Sequence, residues 1–219
     1  MISKTTEGLI IKRWDYGTTS KGIEIYTERF GKIRVIIKGG RTPGTRYSGI
    51  GEVFNRIKIT ISDKNYGGYH YFEKGELVKR YSVDRTNLSI IFKIFSVIDK
   101  FPLFVPSKDI YRMLINIMKL SESNNDFKEA VYYVFLYRIV VVSGYKPELY
   151  VCVKCGEGVS FFSVEDGGRC KRHKQGIELS EEEWENLRVI ASSSFAENIV
   201  IFDKIKALIE SYYNFHMKG

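Results

Sequence analysis

The hydrophobic period of this chain changes once, near residue 80, and that change confines it to an α+β architecture with the strands first. Residues 1–80 carry short alternating segments separated by turn chemistry such as Tyr16-Gly17, Phe30-Gly31 and Asn65-Tyr66-Gly67-Gly68. Five strands are expected, roughly Gly8–Trp14, Gly22–Thr27, Lys32–Lys38, Val53–Ile61 and Tyr69–Val78. In the third, Ile33, Val35 and Ile37 alternate with Lys32, Arg34 and Lys38; in the fourth, Ile57, Ile59 and Ile61 alternate with Arg56, Lys58 and Thr60. Read as neighbours, these two strands present a basic outer surface. Five strands with a charged face suit an OB-fold barrel, with an SH3-like barrel as the nearest competitor.

Beyond residue 80 the spacing is helical. Leu88, Ile91, Phe92, Phe95 and Ile98 follow i, i+3, i+4, i+7, and Phe101-Pro102 ends that helix. Further helices are expected over about Ser107–Ser121, Asn125–Ser143, Ser180–Ala191 and Asp203–Lys218. The third of the five is apolar almost all round, which places it at the centre of a bundle, and Gly144 suits its C-terminal stop. Ser180 with Glu183 is a capping-box pair. The expected division is a barrel at 1–80 and a helical domain at 81–219, with an inserted metal-binding hairpin at about 149–178.

That hairpin carries the sharpest motif. Cys152 and Cys155 are followed, after 14 intervening residues, by Cys170 and His173, each pair having two residues between its members. Two tight turns spaced in this way bring four ligands to about 2.0–2.3 Å of one tetrahedral Zn²⁺. Four protein ligands leave no open position for water, so the expected zinc is single and structural. Val159–Val164 and the Gly167-Gly168 turn read as the strand and turn of a zinc ribbon. A redox pair is a poorer reading, because it leaves Cys170 and His173 unused.

Charge is distributed unevenly. The net charge is +8, and residues 1–80 hold 16 Lys/Arg against 8 Asp/Glu, while the rest carries 18 of each. The excess positive charge therefore sits wholly in the first third, which favours a polyanion there. The loop Lys38–Arg46 mixes glycines with Lys38, Arg41 and Arg46, a combination that brings backbone N–H groups and charge to phosphates; a solvated strand connection is the other reading. Trp14, Tyr16, Tyr26, Tyr47, Tyr69 and Tyr71 could stack on unpaired bases or pack across strands. Arg34, Lys38, Arg41, Arg46, Arg56 and Lys58 are the candidate phosphate contacts. His70 and His216 lack an evident nucleophile partner and no G-x-S-x-G occurs, so no enzyme activity is expected.

The longest apolar run, Val131–Val142, spans 12 residues and contains Arg138, whereas about 20 are needed to cross a bilayer. The N-terminal segment lacks the pattern of a signal peptide, and three cysteines arranged for a metal suit a reducing compartment, so a cytoplasmic protein with no membrane partner is expected.

Taken in order, these segments resemble the RecO family of bacterial recombination mediators. The resemblance lies in EGLIIKRWDYGTTSKGIEIYTERFGKIRVIIKGGR at 7–41, GYKPELYVCVKCG at 144–156 and FFSVEDGGRC at 161–170. It implies an N-terminal OB-fold, a helical bundle and a zinc module between helices. It also implies binding of single- and double-stranded DNA, strand annealing, and partnership with RecR and the single-strand-binding protein tail to load RecA. The family's fourth zinc ligand is usually cysteine, where this chain has His173, itself a competent ligand. Thr42, Gly44 and Thr45 dilute a loop that is richer in arginine elsewhere in the family.

Overall fold

The computed structural model describes residues 3–45, 47, 49–62, 67–103, 105–122, 128–193 and 199–217. The chain divides into two compact units, Met1–Asn124 and Asn125–Gly219, each described by itself.

In the first unit, β1 (Ser3–Tyr16), β2 (Ser20–Thr27), β3 (Gly31–Ile37), β4 (Asn55–Ser62) and β5 (Tyr69–Arg80) close a barrel in the order β1-β2-β3-β5-β4. β1 is long because it serves two neighbours: Ser3 to Leu9 pair with β4, and Gly8 to Tyr16 pair with β2, with a register shift between Ile10 and Lys12. Closure is made by a parallel pairing of β3 with β5, Arg34 opposite Tyr69 and Ile36 opposite Tyr71. This is the OB-type arrangement expected from the five alternating segments. Every second residue points inward, so Ile10, Ile23, Ile25, Ile33, Val35, Ile37, Ile57, Ile59 and Ile61 form one buried cluster. β-Branched side chains suit this pleated interior.

The barrel order corrects one expectation. The basic strands β3 and β4 are consecutive in sequence but are separated by β5, so they do not form one continuous basic surface. Lys32 is a second correction, being buried at 3% exposure although it lies on the outward-facing side of β3. The cause is α1 (Leu88–Asp99) and the chain that follows it, which lie against the outside of the barrel. The Lys32 ammonium donates to the Asp99 carbonyl, Leu103 bridges to Lys32, and a Cβ on Gly31 would fall 2.2 Å from the Val105 carbonyl oxygen. Helix α2 (Lys108–Leu120) completes the unit, its start capped by the Ser107 hydroxyl, which accepts from the Ile110 N–H. The Tyr111 hydroxyl donates to Glu7 of β1 at 2.7 Å, and Asn87 Nδ2 donates to the Ser121 carbonyl at 3.1 Å. Helices α1 and α2 therefore share a compact unit with the strands.

In the second unit, α3 (Ala130–Val142) is the central helix, burying Val131, Val134, Phe135, Leu136, Tyr137, Ile139 and Val140. It begins later than the expected Asn125: residues 125–127 lie outside the described segments, and Lys128 and Glu129 form a turn that accepts i+3 bonds from Val131 and Tyr132. Gly144 follows with φ +102°, the left-handed stop anticipated for it. Helices α4 (Glu181–Ser192) and α5 (Asp203–Met217) pack on α3. The capping box at Ser180 and Glu183 is fully formed, with bonds of 3.2 and 2.8 Å. The expected end of the last helix, Lys218, lies outside the described residues.

Between α3 and α4 runs a three-stranded sheet ordered β7-β6-β8, from β6 (Phe161–Ser163), β7 (Gly167–Arg169) and β8 (Ile177–Glu178). Phe162 joins it to the helices, its ring centroid 6.1 Å from that of buried Trp184 and 5.7 Å from that of Tyr212. The diglycine is not the turn, as was expected, but part of β7; Val164-Glu165-Asp166 make the turn. The backbone of Glu148 crosses Gly167 so closely that a Cβ there would sit 2.3 Å from the Glu148 oxygen. Glycine is needed for that approach, which the bond from the Gly168 N–H to the Glu148 carbonyl at 2.8 Å fixes. No helix among the described residues is long and apolar enough to cross a membrane.

Candidate nucleic-acid interface and metal centre

The metal cluster is built by two backbone turns. At the first, Cys155 and Gly156 both donate to the Cys152 carbonyl, at 3.2 and 2.8 Å, and Gly156 adopts φ +75° to complete the knuckle. At the second, Cys170 directly follows β7, and a single 3-10 turn, Lys171–His173, returns His173 N–H to the Cys170 carbonyl at 3.1 Å. The two turns face each other, and the four ligand atoms lie within 4.8 Å of one another. Separations are 3.7 Å for Cys152 Sγ to His173 Nδ1, 3.4 Å for Cys170 Sγ to Nδ1, and 3.6 Å for Cys155 Sγ to Cys170 Sγ. A tetrahedron with sulfur arms of ~2.3 Å and a nitrogen arm of ~2.0 Å has edges of about 3.5–3.8 Å, so the donor set fits a tetrahedral ion.

The surroundings favour thiolates. Burial opposes ionisation of Cys152, but backbone N–H groups, that of Lys154 first, bring its thiol down to about 6. Cys170 is lowered in the same way, against its burial, by the N–H groups of His173 and Arg172. The Glu157 N–H favours the Cys155 thiolate, but burial and the neighbouring Cys170 and Cys152 sulfurs outweigh it and hold that thiol up. The Cys170 and Cys152 sulfurs raise His173. Arg172 reaches from the same turn to Glu157, clamping the outside of the knuckle.

The barrel's charged candidates fall into three environments. Arg34 Nε donates to Glu24 at 2.7 Å, Arg56 pairs with Glu7, and Arg41 sits 3.1 Å from Asp15 while donating to the Gly17 carbonyl at 3.1 Å. Arg41 thereby ties the Lys38–Arg46 loop to the β1–β2 turn, reinforced by its own N–H donating to the Thr19 carbonyl at 3.0 Å. Lys58 lies 3.8 Å from Glu76 with both side chains exposed, an arrangement that neutralises little. No carboxylate among the described residues pairs with Lys38, whose ammonium lies 5.1 Å from the Tyr71 ring centre. Arg46 and part of the 65–68 turn lie outside the described residues.

The aromatic candidates also separate. Tyr26 is 1% exposed and serves the packing beneath the segment after α1. Tyr47 packs edge-on against Phe72 at 4.7 Å on the core cluster. Trp14, Tyr16 and Tyr69 instead group together, Tyr16 exposed and the other two half-buried, with Tyr69 centred 6.3 Å from Trp14 and 6.1 Å from Tyr16. Sequence reasoning missed the acidic partners, Glu7, Glu24 and Asp99, because the pairing that brings them to the arginines and lysines is not local.

His70 is buried and its Nδ1 bonds to the Ser62 carbonyl at 2.9 Å, while His216 stacks on Tyr145 at 4.4 Å with Nε2 2.8 Å from the Val164 carbonyl. Both histidines have packing roles here.

Fold and site together define an OB-type barrel protein with a helical unit that carries a ribbon whose Cys₃His cluster could hold a metal ion. Family models agree with that description along the whole chain: the recombination protein O N-terminal model matches residues 1–81 and the recombination protein O C-terminal model matches residues 83–219. The chain belongs to the recombination protein O family. Relatives named DNA repair protein RecO include one from Exiguobacterium sp., 25% identical across 100% of this chain and 91% of its own length. Another, from Pelodictyon phaeoclathratiforme, is 26% identical over 100% of this chain and 94% of its own. One from Prosthecochloris aestuarii is 29% identical over 69% of this chain and 59% of its own.

Proposed function

We propose that this protein acts without catalysis in recombinational DNA repair, holding single- and double-stranded DNA on its barrel, residues 1–80, and promoting annealing of complementary strands. The observation that carries the reading is Lys38, a lysine with no acidic partner among the described residues, set over the half-buried Tyr71 ring on an OB-type barrel that holds all the chain's excess charge. An OB barrel's ligand face lies over its second and third strands and the loops between strands 1–2 and 4–5; Lys38 directly follows β3, and Arg41 bonds to the β1–β2 turn. Contacts of this kind are to phosphates, so affinity is little dependent on base sequence and falls steeply with salt. Arg34, Arg41, Arg46, Arg56 and Lys58 add to that field, the paired ones with reduced charge.

The Cys152, Cys155, Cys170 and His173 cluster holds one Zn²⁺, whose part is to fix the ribbon rather than to perform chemistry. Four protein donors occupy a tetrahedral ion fully. Exposed Tyr150, Val151 and Val153 on the metal-bearing segment favour a second role for the helical unit as a protein-contact surface. Family membership makes RecR, the tail of single-strand-binding protein and, indirectly, RecA the partners to test there.

The test is titration of labelled single-stranded DNA and duplex over a salt series with the unaltered protein and with Lys38→Glu. The expected result is weaker binding to both forms and a shallower salt slope in the variant. Unchanged affinity and slope would remove the barrel from the DNA interface.

A further inference from the structure

The outer face over β1, β2, β3 and β5 is organised in rows set by register. Lys12, Glu24, Arg34 and Tyr69 form one row, and Trp14, Gly22, Ile36 and Tyr71 the next. Toward the lower end the face is covered: Glu24, Tyr26 and Lys32 are buried, Lys12 and Lys32 both reach Asp99, and the chain through Leu103 and Val105 lies on β3. At the other end, among the described residues, Tyr16 is exposed and Trp14, Tyr69 and Tyr71 are half-buried. There Trp14 leans across β2, which it can do only because residue 22 has no side chain: a Cβ at Gly22 would fall 2.2 Å from the indole. Counted across β2 and β3, β1 and β5 stand three strand spacings apart, roughly 14 Å, yet the Trp14 and Tyr69 rings come within 6.3 Å. Ile36, which shares the row of Trp14 and Gly22, is 1% exposed.

Covering Ile36 accounts for Trp14 but not for Tyr16. That ring adjoins Tyr69 and is 42% exposed, at the mouth of the β1–β2 turn that Arg41 holds in place. Tyr69 is the first residue of β5, immediately after the β4–β5 connection. The rings thus stand between the two loops that border an OB ligand face, and Lys38 lies over Tyr71, in the same row as Trp14.

We propose that Trp14, Tyr16 and Tyr69 form a stacking ledge for unpaired bases of single-stranded DNA, with Lys38 on the phosphates alongside. The ledge rests on the DNA-binding reading above and deepens it by giving the barrel a means to distinguish a single strand, whose bases can splay onto the rings, from a duplex, whose bases are already stacked. With the lower end covered and Tyr16 exposed at the upper, the face accepts a short stretch of strand at its upper end only.

The chain contains two tryptophans, Trp14 and the fully buried Trp184 of the second unit, so a change in emission on titration reports the ledge. The experiment titrates the whole chain with an oligothymidylate and with an abasic strand of equal length, which keeps the phosphates and removes the bases. The expected result is quenching by the oligothymidylate alone and an affinity for it about tenfold or more above that for the abasic strand. Tyr16→Ala should bring the two affinities to within about threefold without weakening the abasic strand; because its ring is exposed, this variant should fold, and Tyr69→Ala provides a second measure. Equal affinity for both strands with unchanged emission overturns the ledge while leaving phosphate binding intact. Binding of neither strand overturns the DNA-binding reading and the ledge with it.

Discussion

Trp14 lies so close against Gly22 of the neighbouring strand that the nearest ring atom would be 2.2 Å from any Cβ placed there. One position therefore sets both the packing of the outer face and the pose of its largest ring.

Gly22→Ala should push the indole outward. Overpacking of this kind costs about 1–3 kcal/mol, to be read as a lower denaturation midpoint of the barrel with an unchanged slope. Trp14 emission should shift to longer wavelength in the folded variant. A variant as stable as the parent with unaltered emission would contradict the close approach.

Metal removal should act on the second unit. With a chelator, or in Cys170→Ser, the ribbon loses the ion that joins its two turns, and the helices packed through Phe162 should unfold at lower temperature. Elemental analysis of the purified chain is expected to return one zinc per chain, and none in the variant. A metal-free protein with the same thermal midpoint would contradict a structural ion.

Ser180→Ala removes both halves of the capping box, since Glu183 loses the geometry that returns it to the Ser180 N–H. The expected cost is about 1 kcal/mol, measured as a shift in the chemical-denaturation midpoint of the second unit. Trp184 lies one turn into that helix and is fully buried, so its fluorescence follows the transition.

Lys32→Met tests whether the segment after α1, rather than ion pairing, explains the burial of that lysine. Burial lowers the Lys32 ammonium's pKa, against the pull of Glu24 and Asp99, so the charged form is disfavoured in the folded chain. Replacing it by an apolar side chain of similar length should leave stability within about 1 kcal/mol or raise it. A loss of several kcal/mol would show that the ammonium's bond to Asp99 is indispensable.

These predictions differ in how visible their basis was in the sequence. The barrel interior could be read from Ile33, Val35, Ile37 and Ile57, Ile59, Ile61 because a side-chain period of two marks the buried face directly. Ser180 with Glu183, Gly144, and the two Cys/His pairs that come together in one cluster were equally plain, being local patterns whose geometry a few residues decide. Strand order was not. That β5 inserts between β3 and β4 depends on closure between segments far apart in sequence, and alternation carries no record of which strand lies alongside. The same gap hid the partners of Arg34 and Arg56, which reside on β2 and β1, and made Lys32 look exposed when a later segment covers it. Gly167-Gly168 reads as a turn by composition; only the crossing of Glu148 shows why glycine is needed in a strand.

The account stands or falls on where DNA meets the chain. The most direct measurement is the affinity of the whole protein for single-stranded DNA across a salt series, compared with that of Lys38→Glu. The account predicts a loss of affinity at every salt concentration and a slope of log affinity against log salt reduced by about 0.7, one single-strand phosphate contact. Superimposable titrations would contradict it.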